Sequence, residues 1–288
     1  MNTASPLADS PAPSLLRELH EEVLQRLGDD ARSLRIERAV LGIFFTGAKL
    51  DNGVGGLCAT PVKSVPEAVC CPSSARAMPV PGKIRGRLAA QLLEDLYRPQ
   101  DLRRALAIAV LNALVETLWQ RDGAPDCALQ DNSDAFDAIG LQPGAQVALV
   151  GAFPPYMRYL RKRGQPFHVL EMDPGTLKPD ELPYYQPAER APQIVPQADV
   201  LVTTGTTLLN GSLDGLLRLL RPGAGAAVIG PTATLVPGPY QRRGVTVVGG
   251  TRVRAIDELL ELLAEGGSGY HFFGKTVERV TLRLPAVA

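Results

Sequence analysis

Between Thr203 and Asn210 the chain reads Thr203-Thr204-Gly205-Thr206-Thr207-Leu208-Leu209-Asn210. Threonine hydroxyls and an asparagine amide both donate and accept hydrogen bonds, and glycine lets backbone groups face a ligand. Such a set suits a carboxylate, a phosphate or the edge of a heterocycle. The competing reading is helix capping, but a cap needs one such residue and here there are five. The loop follows a short apolar run, Val200 to Thr203, that reads as a buried strand. In open parallel sheets ligands bind beyond the carboxyl ends of the strands, where the strand order reverses.

Other loops fall at equivalent places. Gly151-Ala152-Phe153-Pro154-Pro155 follows the strand that ends at Val150. Gly151 permits close approach of a ligand, but the full G-x-G-x-x-G is absent and the two prolines remove amide donors. An aromatic wall from Phe153 is therefore favoured over a pyrophosphate cradle. Glu171 lies 20 residues after Gly151, where Rossmann-type domains place an acid on ribose hydroxyls. A solvated acid is the plainer reading. Gly230-Pro231-Thr232-Ala233-Thr234 ends another strand, and Gly249-Gly250-Thr251 is a weaker site of the same kind. In the first half, Gly53 to Gly56, with Gly55 inside it, offers bare backbone. Asn112 lies in an apolar helix, where its amide must find a partner.

Other chemistry is sparse. The cysteines are Cys58, Cys70, Cys71 and Cys127, without zinc spacing. Cys70 and Cys71 are weak candidates for a soft metal, and inert thiols are the bland reading. His20 reads as solvated on a surface helix, and His168 as packed. No G-x-S-x-G, H-E-x-x-H or Walker A motif occurs. No residue stands out as general base or nucleophile, so catalysis stays open.

The elements that must position these residues form two groups. A helix over Leu15 to Leu27 is followed by a strand over Ile36 to Phe45. A turn at Asp51 to Gly56 then leads to a returning strand over Leu57 to Val62. Cys71 to Gly86 reads as loop. Two helices follow, Arg87 to Tyr97 and, capped by Asp101, Leu102 to Trp119; the second is apolar nearly all round and so buried. This is an α+β pattern. After a linker at 122–134, strands alternate with helices: strands from Gln146, Phe167, Val200, Ala226 and Val245, and helices from Pro155, Ser212 and Ile256. A proline-rich loop covers Pro174 to Gln193. Short apolar strands of this kind predict a parallel sheet with helices on both faces. Val277 to Leu284 alternates apolar with polar residues, as an edge or antiparallel strand does.

The domains read as a disordered tail at 1–13, an α+β domain at 14–121 and a ligand-binding α/β domain at 135–288. A formal net charge of zero gives no global field for nucleic acid or anionic membrane. No apolar run is long enough to span a bilayer. The tail lacks signal-peptide features, so the expected compartment is the cytoplasm. The expected partner is a small molecule, and a homo-oligomer is left open.

Several of these segments resemble the family described as "putative heavy-metal chelation", a domain of unknown function. The likeness rests on G-A-F-P-P at Gly151, Glu171, A-D-V-L-V-T-T-G-T-T-L-L-N-G-S-L-D from Ala198, G-P-T-A-T-L-V-P from Gly230 and G-V-T-V-V-G-G from Gly244. V-G-G-L-C-A-T from Val54 and L-N-A-L around Asn112 resemble that family's partner domain. The resemblance implies an enolase N-terminal-like first domain, a Rossmann-like second domain and a ligand in the cleft between them. It also implies a link to metal homeostasis. The expected ligand is a chelator-like or heterocyclic molecule, with or without a metal ion. It would be bound by Gly151, Phe153, Glu171, Thr204, Gly205, Thr206, Thr207, Asn210, Gly230, Pro231 and Thr232, with Gly55 and Asn112 opposite. A nucleotide cofactor of S-adenosylmethionine or NAD type is the alternative, and metal sequestration by thiols is a second one.

Overall fold

Leu15, Leu16, Leu19, Val23 and Leu27 recur on one helical stripe, and all are buried in α1 (Ser14–Leu27). Gly28, at φ +59°, ends the helix by donating its amide to the Leu24 carbonyl. The computed structural model describes residues 14–62, 77, 81–129 and 134–285.

After the short α2 (Asp30–Ser33) come β1 (Ile36–Leu41), β2 (Phe45–Leu50) and β3 (Gly55–Ala59), an antiparallel sheet in that order. The strand expected over Ile36 to Phe45 ends at Leu41, and its last residues form the hairpin turn into β2. A side chain at Gly42 would lie 2.5 Å from the Leu263 carbonyl oxygen, so bare backbone turns there. Ile43 and Phe44, whose types suggest a strand, stand exposed at the hairpin tip. α3 (Ala89–Leu93) runs on as a 3-10 turn, and α4 spans Asp101–Asp122. Asp101 is the first residue of α4 and not its cap, which is Gln100. Its charge there still opposes the positive end of the helix.

The segment expected to be a linker contributes β4 (Ala128–Leu129). Then follow β5 (Val147–Val150), α5 (Pro154–Lys162), β6 (Phe167–Glu171), β7 (Tyr185–Pro187), α6 (Ala191–Ile194) and β8 (Val200–Thr204). Next are α7 (Thr206–Leu209), α8 (Leu213–Arg218), β9 (Gly225–Ile229) and α9 (Pro237–Gln241). β10 (Val245–Val253), α10 (Ile256–Ala264), α11 (Gly269–Phe272) and β11 (Val277–Arg283) complete the described chain. β7 lies inside the proline-rich loop, its three residues too few to show a period. The eight-stranded sheet has the order β4-β11-β10-β9-β8-β5-β6-β7. β11 pairs antiparallel, as its alternation predicts, and β4 covers its outer edge. The six strands β5 to β10 are parallel. Their order is that of doubly wound sheets, with the reversal between β5 and β8.

Both faces of this sheet are covered. Val147, Leu149, Val169 and Val202 pack with Met157 and Leu160 of α5. On the other face Ala148, Leu170, Leu201 and Ala226 join one core with α1 and α4. α4 is buried from Ala105 to Val110 without interruption, as its composition predicts. The helix α10, although it follows β10, covers the small sheet instead: Ile256, Leu260 and Leu263 lie over Gly55 and Gly47. Glu116 of α4, buried, accepts two hydrogen bonds of 2.7 Å from the Arg252 guanidinium of β10. The two halves therefore share their cores.

His20 differs from expectation. It is half-buried, with Nδ1 2.6 Å from the Tyr97 hydroxyl and Nε2 buried without a partner among the described residues. Burial holds its pKa below 6.5. The unfolded chain thus takes up a proton near pH 6.5 that the folded chain refuses, and stability is lost as pH falls below that value. Urea midpoints measured from pH 7.5 to 5 should fall, and His20→Gln should flatten the slope. A second expectation concerns Gly56, where a Cβ would lie 2.1 Å from the Ala109 carbonyl oxygen and 2.3 Å from the Ala113 nitrogen. Gly56→Ala should cost about 3 kcal/mol in denaturant unfolding, as overpacking against backbone does.

Candidate functional site

The reversal of strand order places the carboxyl ends of β5, β6 and β8 side by side, and a cavity of about 290 Å³ opens there. Gly151, Glu171, Thr204, Thr206, Thr207 and Asn210 line it. Gly151 has φ +97°, and a Cβ on it would sit 3.1 Å from the Thr204 methyl. Glycine therefore answers both to the turn and to the space.

Glu171 pins the loops around it. Its Oε2 accepts from the Ala152 amide at 3.1 Å, and its Oε1 from the Met172 and Asp173 amides at 2.8 and 3.3 Å. Three of about four acceptor positions are thereby used. Thr206 to Leu209 forms the helical turn α7, and the threonines largely hold that turn. The Thr207 hydroxyl donates to the Thr204 carbonyl at 2.7 Å and lies 3.0 Å from the fully buried Thr203 hydroxyl. Thr204 Oγ1 accepts from the Thr206 hydroxyl at 3.1 Å, and both residues are half-buried at the cavity wall. Asn210 Oδ1 accepts from the Ser212 amide and hydroxyl at 3.0 and 2.7 Å, turning the chain into α8. So the polar loop carries both the capping role and the cavity wall.

The first half reaches this cavity through Asp101, which spacing arguments missed. Arg104, 3.5 Å from Asp101, donates to the carbonyls of Leu96, Arg98 and Leu209. It thus ties α4 to α7, and burial lowers its pKa. Met172, Ala188, Ala191 and Ser212 also line the cavity. Their chemistry is ordinary, and only the missed strand β7 would have drawn attention to Ala188 and Ala191.

The remaining candidates lie elsewhere. Phe153 stacks on Tyr156, which stacks on Phe136, and it does not line the cavity. Gly230 and Pro231 line a separate hollow of about 60 Å³ with Asp134, Tyr156 and Gly250. Gly205 and Thr232 form packing contacts: a Cβ at Gly205 would lie 2.8 Å from the Ala233 nitrogen, and buried Thr232 accepts from the Ala59 amide at 3.1 Å. Gly55 lies under Ile256. The Asn112 amide donates to the Leu57 and Pro231 carbonyls at 2.9 and 3.3 Å, stitching α4 and β3 to the Gly230 loop. A broader depression of about 680 Å³ lies at the amino ends of the strands, beside Asp199, Gly225 and Thr246. It is the larger one, but ligands of such sheets bind at the opposite ends.

Among the described residues no group of three or more His, Cys, Asp or Glu side chains could hold a metal ion. The cavity brings two carboxylates, and Glu171 is largely committed to amides. Protein ligation of a metal does not fit this set. His271 caps α11 with Ser268. Cys70 and Cys71 lie outside the described residues. No described helix is long and apolar enough to cross a membrane.

A family model described as "Putative heavy-metal chelation" matches residues 134–282, and a second with the same description matches residues 24–115. An uncharacterized protein of Methanocaldococcus jannaschii is 26% identical over 193 residues, 63% of this chain and 68% of that protein. A crystal structure of a DUF364-family protein of unknown function from Pyrococcus horikoshii superposes with a TM-score of 0.73 at 17% identity. It covers 94% of this chain and 100% of its own. Another, from Desulfitobacterium hafniense, gives 0.70 at 16%, covering 94% and 98%. At these identities the two structures show the fold.

Burial pushes the Cys58 thiol up to about 12. At pH 8 its thiolate would be on the order of one part in ten thousand, and the thiolate is the reactive form. Peptide mapping after iodoacetamide should leave Cys58 unlabelled in the native protein and labelled in urea.

Proposed function

The chain belongs to the DUF364 family, and from that membership and the strand-end cavity we propose that it binds a small organic ligand of chelator or heterocyclic type. The observation that supports this most is the convergence of Gly151, Glu171, Thr204 and Thr206 on one cavity at the reversal of strand order. Asp101 from the first half, in the lining of the cavity, supports reading it as a cleft between the two halves. Hydroxyls and carboxylates give the walls an excess of acceptors, while Val150, Leu170 and Leu216 supply apolar surface.

Metal enters this reading as cargo. With no protein cage among the described residues, the donor atoms would be those of the ligand itself. The ligand-binding role is the reading, in a protein or enzyme linked to metal homeostasis. Sequestration by thiols finds no support in Cys58, which is buried and held protonated.

Native mass spectrometry of freshly purified protein should show a bound small molecule, released on denaturation. Thr206→Val removes one cavity hydroxyl without adding bulk and should weaken binding about tenfold, the worth of one hydrogen bond. An empty native protein, or retention unchanged in this variant, would count against the site.

A further inference from the structure

We propose that the cavity is built for a nucleoside-type ligand without phosphates, with its cationic or donor-rich end toward Asp101. This deepens the ligand-binding reading and rests on it. The lining follows the sheet in order. Ala188 and Ala191 stand beyond β7, Glu171 ends β6, Gly151 follows β5, and Thr204 ends β8. Four adjacent strands about 4.8 Å apart span roughly 14 Å, the reach of a base, a ribose and a short substituent laid across the strand ends. At the β7 end the wall is Leu170, Ala188 and Ala191, smooth and apolar, as the face of a planar ring requires. In the middle, Glu171 keeps one acceptor position on Oε2, the atom that holds only the Ala152 amide. It ends the second strand of the first half of the sheet, where doubly wound domains bind ribose hydroxyls.

The same geometry disfavours phosphate. A phosphate in such sheets is held by free amides of the first glycine loop and the following helix N-terminus. Here the Ala152 amide is committed to Glu171, the Gly151 amide to the Leu170 carbonyl, and the first two positions of α5 are Pro154 and Pro155. Among the described residues no lysine or arginine lines the cavity. The charged residues described in the lining are Asp101 and Glu171, both acids; Arg104, 3.5 Å from Asp101, offsets part of that charge, and what remains disfavours an anion and favours a positive or donor-rich substituent.

Calorimetry on the full chain at one salt concentration can test this with adenosine, S-adenosylmethionine, ATP and NAD. Adenosine and S-adenosylmethionine should bind, with ATP and NAD at least tenfold weaker. Asp101→Asn should weaken S-adenosylmethionine more than adenosine, and Glu171→Gln should weaken both. Glu171→Gln also loosens a loop, so Ala188→Trp, at the partly exposed apolar end, serves as the second variant. It should abolish adenosine binding while leaving the melting temperature of the unliganded protein within a few degrees. ATP or NAD binding as tightly as adenosine would overturn the exclusion of phosphate. Failure of both adenosine and S-adenosylmethionine to bind at millimolar concentration would overturn the nucleoside class. A co-purified molecule still lost in Thr206→Val would then leave the cavity standing as a site for another ligand.

Discussion

The close approach of α4 to β3 governs this molecule. At Gly56 the helix backbone comes so near that no β-carbon fits, and Asn112 fills the seam by donating to two carbonyls from different halves. A helix this deeply buried needs apolar surface on every side, and two sheets supply it. One face meets β2 and β3, and the rest joins the core beneath the parallel strands. The amino end of α4 then lies where Asp101 enters the cavity and Arg104 grips the last carbonyl of α7. The position of the cavity thus follows from packing far from it.

The second tie runs the other way. α10 leaves the large sheet and lies on the outer face of the small one, where Lys49 bonds Asp257 at 2.9 Å and Arg38 bonds Glu261 at 2.7 Å. These exposed pairs contribute little singly. The apolar contact of Ile256, Leu260 and Leu263 matters more, because glycines at 47 and 55 make room for it. Glu116 and Arg252 add a buried bidentate pair over which Trp119 stacks, its ring centroid 5.0 Å from the guanidinium carbon.

The parallel sheet was legible because buried strands leave apolar runs of fixed length, and a ligand site in such a sheet has only one end to occupy. Gly151, Glu171 and the threonine loop could be grouped for that reason. Asn112 was legible as a polar residue needing a partner, but a helix pattern cannot say whether that partner is a ligand or a carbonyl; it is two carbonyls. Phe153 faces a stack of aromatics from its own helix and Phe136, a choice made by side-chain rotation. An acid at a helix start usually serves the helix, so the sequence around Asp101 points to a cap. Its place in the cavity depends on the docking of two halves, and no spacing along the chain encodes that. Ile43 and Phe44 misled for a related reason: their strand-forming types sit at an exposed turn that Gly42 imposes.

The shared covering of the small sheet bears on how such a protein can be inherited. The two matched segments, 24–115 and 134–282, suggest modules that evolution could separate and recombine. In this chain α10 works against such an exchange, because it covers the sheet of the other segment. Cut between the segments, one piece would expose the outer face of its sheet and the other an apolar helix stripe, each an invitation to aggregate. The boundary lies in the sequence and not in the fold. A gene carrying one half without the other would encode an unfinished surface.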